Sequence, residues 1–147
     1  MRRREFIAGL GSMAACPVAA ARAQPRNPIK RIAFIAGRRG VIEPIFRQEL
    51  ARLGWVEGRD VRIEELFELD MRAAAPFVVS TAPDLIVAVS TENAQIFKEL
   101  TDKIPIVFAF VADPVATDLV RSFAHPGGNL TGFTNLPQSS QAGKWLS

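Results

Sequence analysis

Cysteine and histidine are almost missing from this 147-residue chain, which has one of each, Cys16 and His125. A zinc-type metal site needs a cluster of such ligands, so acidic residues could build only an oxygen-ligand site, and no metal ligand is assigned. Cys16 sits within an N-terminal apolar segment, and the chain beyond it holds neither a disulfide nor a thiolate nucleophile. The sole histidine falls in the turn Ala124-His125-Pro126-Gly127-Gly128-Asn129, and G-x-S-x-G is absent, so a serine triad has no evident base. The P-loop pattern G-x-x-x-x-G-K-S/T is also missing. Gly37-Arg38-Arg39-Gly40 lacks the middle glycine through which a G-x-G-x-x-G backbone approaches pyrophosphate. A phosphoacceptor receiver domain would need an aspartate where Val89-Ser90 stands. No catalytic residue and no cofactor site is assigned.

What is present at the start reads as an export signal. Arg2, Arg3 and Arg4 precede an apolar or small-residue stretch from Phe6 to Ala15, and Ala21-Arg22-Ala23 offers small residues before Gln24. That stretch is shorter than the roughly 20 residues a membrane span requires. Residues 1–23 are therefore expected to be a signal peptide, and Arg3-Arg4-Glu5-Phe6-Ile7 resembles a twin-arginine signal. Lipid anchoring at Cys16 is disfavoured because Pro17 follows it and the better cleavage signal lies later. The chain has 18 basic and 15 acidic residues, and removing Arg2, Arg3, Arg4, Arg22 and Glu5 leaves equal numbers of each. The basic balance thus belongs to the signal, and no nucleic-acid footprint is expected.

After a polar leader at 24–30, apolar runs at 32–36, 85–89 and 106–111 read as strands. Residues 61–64 alternate as a strand with one polar face, which suggests a sheet edge. A fifth strand is expected at 130–134. Ile42, Ile45, Phe46, Leu50 and Leu53 form one helical stripe, with Glu43 and Pro44 in its first turn and Gly54 at its end. Asp70 can cap a second helix, although Pro76 should kink it or move its start. A third carries Ile96, Phe97 and Leu100, and a short fourth is expected around Val115, Leu119, Val120 and Phe123. Strands alternating with helices define an α/β fold with a doubly wound parallel sheet and right-handed crossovers.

In such sheets ligands bind at the carboxyl ends of the strands. Those ends carry Ser90 and Thr91 after the third strand, and Phe110 and Asp113 after the fourth. Ser90 or Thr91 can cap the helix that follows, or its first-turn N–H groups can receive a ligand carboxylate. Asp113, before Pro114, can take a ligand amine or cap the next helix, and Phe110 can pack a ligand or the core. Ser90, Thr91, Phe110 and Asp113 are the candidate ligand-binding residues.

The signal, Leu50-Ala51-Arg52-Leu53-Gly54-Trp55-Val56-Glu57-Gly58-Arg59-Asp60-Val61, Pro83-Asp84-Leu85-Ile86-Val87-Ala88, Ile104-Pro105-Ile106-Val107-Phe108 and Pro126-Gly127-Gly128-Asn129-Leu130-Thr131-Gly132-Phe133 together resemble the solute-binding proteins of ABC transporters, tryptophan/tyrosine-uptake-like group. The resemblance implies a type I periplasmic-binding-protein-like fold whose two lobes close on a small ligand and deliver it to a membrane permease. It implies that residues 31–135 are the first lobe only and that 136–147 begin the continuation toward a second. It places ligand contacts at Ser90, Thr91 and near Phe110 to Asp113, where family members often have Gly-Thr at the first pair. The expected function is a non-catalytic periplasmic component for uptake of a small polar or amino-acid-like solute, touching the membrane only through its permease. An exported α/β enzyme completed by further residues and a sensory ligand-binding domain are the alternatives.

Overall fold

A computed structural model describes residues 28–68 and 70–134. The expected signal at 1–23, most of the leader and the continuation at 136–147 lie outside the described residues. In chain order the elements are β1 (Lys30–Ala36), α1 (Ile42–Arg52), β2 (Val61–Phe67), α2 (Met71–Ser80), β3 (Leu85–Val89), α3 (Thr91–Leu100), β4 (Ile106–Val111) and β5 (Leu130–Thr134). All five strands lie in one sheet of order β2-β1-β3-β4-β5 and every pairing is parallel. The expected α/β sheet is present, and β2, the alternating strand, is indeed at an edge.

Alternation along the strands sends side chains to two apolar layers, as a pleated sheet covered on both faces requires. Ile32, Phe34, Val61, Ile63, Val87 and Val89 pack on one face with Ile42, Phe46 and Leu50 of α1. The rings of Phe34 and Phe46 meet there at 5.5 Å between centroids, tilted by 37°. Ile35, Ile86, Ala88, Ile106 and Phe108 face the opposite way, against Met71, Ala75 and Val78 of α2 and Ala94, Ile96 and Phe97 of α3. Phe97 and Ile86 are completely buried; burying a side chain of this kind stabilises the fold by roughly 1.5–3 kcal/mol.

Polar contacts fasten the strand entries. Arg31 forks onto Glu64 of β2 at 3.1 and 3.0 Å and donates to the Thr81 carbonyl at 2.7 Å. Asp84, just before β3, accepts the Arg31 backbone N–H and the Lys30 ammonium, both at 2.9 Å. These donors hold the Asp84 carboxyl below its ordinary range, the Arg31 N–H contributing most. Between β4 and β5 the register shifts at Phe108 to Val111. A Cβ at Gly132 would sit 2.1 Å from the Phe108 carbonyl oxygen, so only glycine lets these strands close.

One expectation about helices is corrected, and the start of α2 is located. Pro76 does not shift the start of α2, which begins at Met71 under the Asp70 cap, whose carboxylate accepts the Ala73 N–H at 3.1 Å. Pro76 lies within the helix on an exposed position, while Ala75 and Val78 anchor the buried face. The fourth helix expected after β4 is absent, and turns occupy that stretch. Asp113 Oδ1 takes the N–H groups of Val115 and Ala116 at 3.1 and 2.9 Å. Asp118 then enters the left-handed region at φ 56°, which a continuing helix cannot accommodate. Leu119 and Val120 still reach the core, while Val115 and Phe123, which completed the helical spacing, are exposed.

Candidate functional site

The sheet order reverses at β1: its neighbour on one side is β2 and on the other β3. The chain leaving β1 runs to α1 on one face, and the chain leaving β3 runs to α3 on the other. Diverging connections leave a crevice above the strand ends, the place where open α/β sheets bind ligands. A cavity of about 740 Å³ occupies it. Its floor is Phe34, Ala36 and Val89, one wall is the loop 37–41 with the start of α1, and the other is Ser90, Glu92 and Asn93. Phe67, Glu68 and Met71 close the β2 side.

Ser90 is the sequence-expected residue that lines this cavity. Its backbone, at φ 106° and ψ 158°, is in a region that is essentially glycine's. The conformation turns the chain sharply from β3 into α3, and Ser90 Oγ accepts the Asn93 N–H at 3.3 Å, capping the helix. Thr91 opens α3 and makes no side-chain hydrogen bond among the described residues. Phe110 and Asp113 are not in the cavity wall. Phe110 lies at φ 59° on the irregular stretch of β4 and is half exposed, so it does not belong to the core. The Asp113 carboxylate is turned onto its own following backbone, as above, where it stabilises a turn instead of a helix.

Sequence reasoning missed other cavity residues. Asn93 is buried, and its Nδ2 donates to the Val89 carbonyl at 2.9 Å, which fixes the amide at the cavity edge. Its position next to Ser90-Thr91 on the helix was the available signal. Arg38 and Arg39 line the wall opposite. The Arg39 guanidinium lies 5.0 Å from the centroid of the Phe67 ring, a cation–π contact. The turn was visible as Gly37-Arg38-Arg39-Gly40, but its neighbour Phe67 follows only from the β1–β2 pairing. Behind that wall Arg47 donates to Glu43, Glu57 and Glu65, tying α1, the turn before β2 and β2 itself together. Its hydrogen bond holds the Glu65 carboxyl below the usual range, and the three carboxylates push the Arg47 guanidinium further up.

Among the described residues no group of three His, Cys, Asp or Glu side chains could hold a metal ion. Nor is any described helix long and apolar enough to cross a membrane.

A one-lobed parallel α/β sheet with an open crevice at its switch point is the architecture of a periplasmic-binding-protein-like lobe. Residues 69–142, half of the chain, match the family described as ABC transporter substrate binding protein, and the chain belongs to that family. A tyrosine-binding protein of Clostridioides difficile is 37% identical over 91 residues, which are 59% of this chain and 26% of that protein. The ligand-free, open structure of a substrate binding protein with adhesive properties from Clostridium difficile is 28% identical with a TM-score of 0.67, over 80% of this chain and 43% of that one. The crystal structure of a conserved domain protein from Vibrio cholerae is also 28% identical, with a TM-score of 0.66 over 81% of this chain and 43% of that one. An ABC domain in complex with L-Trp from Streptococcus pneumonia, 24% identical at a TM-score of 0.62 over 73% of this chain and 39% of that one, shares the fold. The chain spans less than half the length of these relatives.

Proposed function

We propose that this chain is the first ligand-recognising lobe of an exported solute-binding protein that hands a small amino-acid-like solute to an ABC transporter permease. The observation that carries the reading is the crevice of about 740 Å³ at the β1–β3 switch point, in a chain of the substrate-binding family. Both signs of charge line it, as a zwitterionic solute requires: Arg38 and Arg39 beside Glu43 on one wall, Glu92 on the other, and Glu68 on the β2 side. The tyrosine-binding relative and the L-Trp complex support an amino-acid-like ligand without fixing which one. The role is binding without chemistry.

In this reading Ser90 and Thr91 meet the ligand at the start of α3, and Phe110 and Asp113 form an outer rim at the end of β4. Residues 31–135 make the lobe and 136–147 lead toward its counterpart. The Arg3-Arg4 signal at 1–23 sends the protein to the periplasm, where its only membrane contact is the permease. Closure of two lobes would exclude water and strengthen each polar contact to the solute. Calorimetric titration of the intact, ligand-stripped protein with the twenty amino acids tests the proposal. Saturable binding of at least one is expected, and failure of all of them to bind sinks it.

A further inference from the structure

We infer that the crevice holds the carboxylate of its solute at Arg38 and Arg39, with the ammonium group toward Glu92, instead of seating the carboxylate on the N-terminus of α3. The inference rests on the solute-binding reading above and adds the orientation of the solute to it.

A helix N-terminus is ordinarily the anion-binding end. Here α3 is partly spent on its own residues. Ser90 Oγ already takes the Asn93 N–H, and Glu92 puts a carboxylate into the first turn. Glu92 lines the cavity, is exposed, and makes no ion pair or hydrogen bond among the described residues. An incoming carboxylate would meet a like charge beside the N–H groups it needs, whereas an ammonium group would be attracted to both Glu92 and Ser90 Oγ.

The opposite wall carries two unpaired guanidiniums, and its one carboxylate, Glu43, is tied to Arg47. Arg31, Arg47, Arg52, Arg59 and Arg72 each have a carboxylate within 4 Å. Arg38 and Arg39 have none and donate no hydrogen bond among the described residues, although both line the cavity. Arg39 lies close enough to influence Glu65, but that carboxylate is committed to Arg47. The contact with Phe67, itself a cavity residue, restrains the Arg39 side chain without consuming its N–H donors. A restrained guanidinium with open donors is suited to a planar, two-oxygen acceptor.

The test compares ligands that lack one charge. Every amino acid that binds the intact wild-type protein is titrated beside its carboxamide and its deaminated acid, in wild type and in Arg38→Gln, Arg39→Gln, Arg39→Lys and Glu92→Gln. Wild type should prefer the acid over its carboxamide by about 10- to 100-fold, the range of a hydrogen-bonded charge pair. Arg38→Gln and Arg39→Gln should reduce that preference at least severalfold, while Arg39→Lys retains most of it. Glu92→Gln should weaken the amino acid but not the deaminated acid. Unliganded thermal unfolding identifies any variant that has lost its fold, and Arg38→Gln, whose side chain has no partner to lose, then carries the test. Equal affinity for acid and carboxamide in wild type, or an unchanged preference in both arginine-to-glutamine variants, overturns the orientation while leaving solute binding intact. If no amino acid binds wild type, the orientation falls together with the function.

Discussion

Replacing Ser90 with glycine should leave the fold as stable as wild type or more so, and replacing it with alanine should weaken it. At φ 106° and ψ 158° any side chain is strained, at a cost of about 1–3 kcal/mol. Glycine removes that strain. It gives up the Oγ cap on Asn93, worth a few tenths of a kcal/mol against glycine, and about 0.5–1 kcal/mol of backbone entropy. The balance lies between about zero and 2 kcal/mol in favour of Ser90→Gly. Alanine keeps the strain and loses the cap, a loss of about 1 kcal/mol. The two variants should therefore differ by about 1–3 kcal/mol, or several degrees in Tm. Urea unfolding of the intact, unliganded protein measures this directly. If Ser90→Ala proves equal to or more stable than Ser90→Gly, the strained turn from β3 into α3 is not a feature of the folded protein.

Gly132→Ala drives a Cβ against the Phe108 carbonyl and should cost at least about 2 kcal/mol, read from the shift in urea midpoint at constant slope. Phe97→Ala, at a fully buried position of α3, should cost about 3–5 kcal/mol, and a smaller loss would mean that the site collapses around the gap. Arg47→Ala leaves Glu43, Glu57 and Glu65 facing one another without their cation. With these side chains 15%, 46% and 21% exposed, the expected loss is about 1–3 kcal/mol, below that of a fully buried pair. The Glu65 share of that loss should disappear as pH falls through its folded-state value, which the Arg47 hydrogen bond holds below the ordinary carboxylate range; a pH-independent loss would refute the electrostatic account. Asp84, whose carboxyl is held below its ordinary range, contributes stability above the unfolded carboxylate pKa, and the contribution disappears as pH falls through the folded value. Asp84→Asn should therefore show a shallower acid limb below pH about 4 than wild type, followed by thermal unfolding across that range.

Much of the fold could be read from period and punctuation. The apolar runs at Leu85–Val89 and Ile106–Val111 mark strands, the first almost wholly buried, and the polar alternation of residues 61–64 marks the edge. The turn-rich stretch after β4 misled because Val115, Leu119 and Phe123 recur four residues apart, while the competing Asp113 carboxylate and the left-handed Asp118 leave no periodic trace. At the site, Ser90 was visible as the polar residue ending an apolar strand. The contact of Arg39 with Phe67 depends on β2 pairing beside β1, a long-range choice that local spacing does not encode. Asn93 was hidden for a different reason: a polar residue on the buried side of a helix is explained only once its carbonyl partner at Val89 is known.

The strand order also bears on how the sheet can assemble as the chain lengthens. Once β1 and β2 have paired, each later strand joins an edge that is still free: β3 beside β1, β4 beside β3, and β5 beside β4. No strand has to thread between two that are already joined. The search for each long-range partner is thus reduced to finding one growing margin, which shortens the interval in which unpaired apolar strands are open to misassociation.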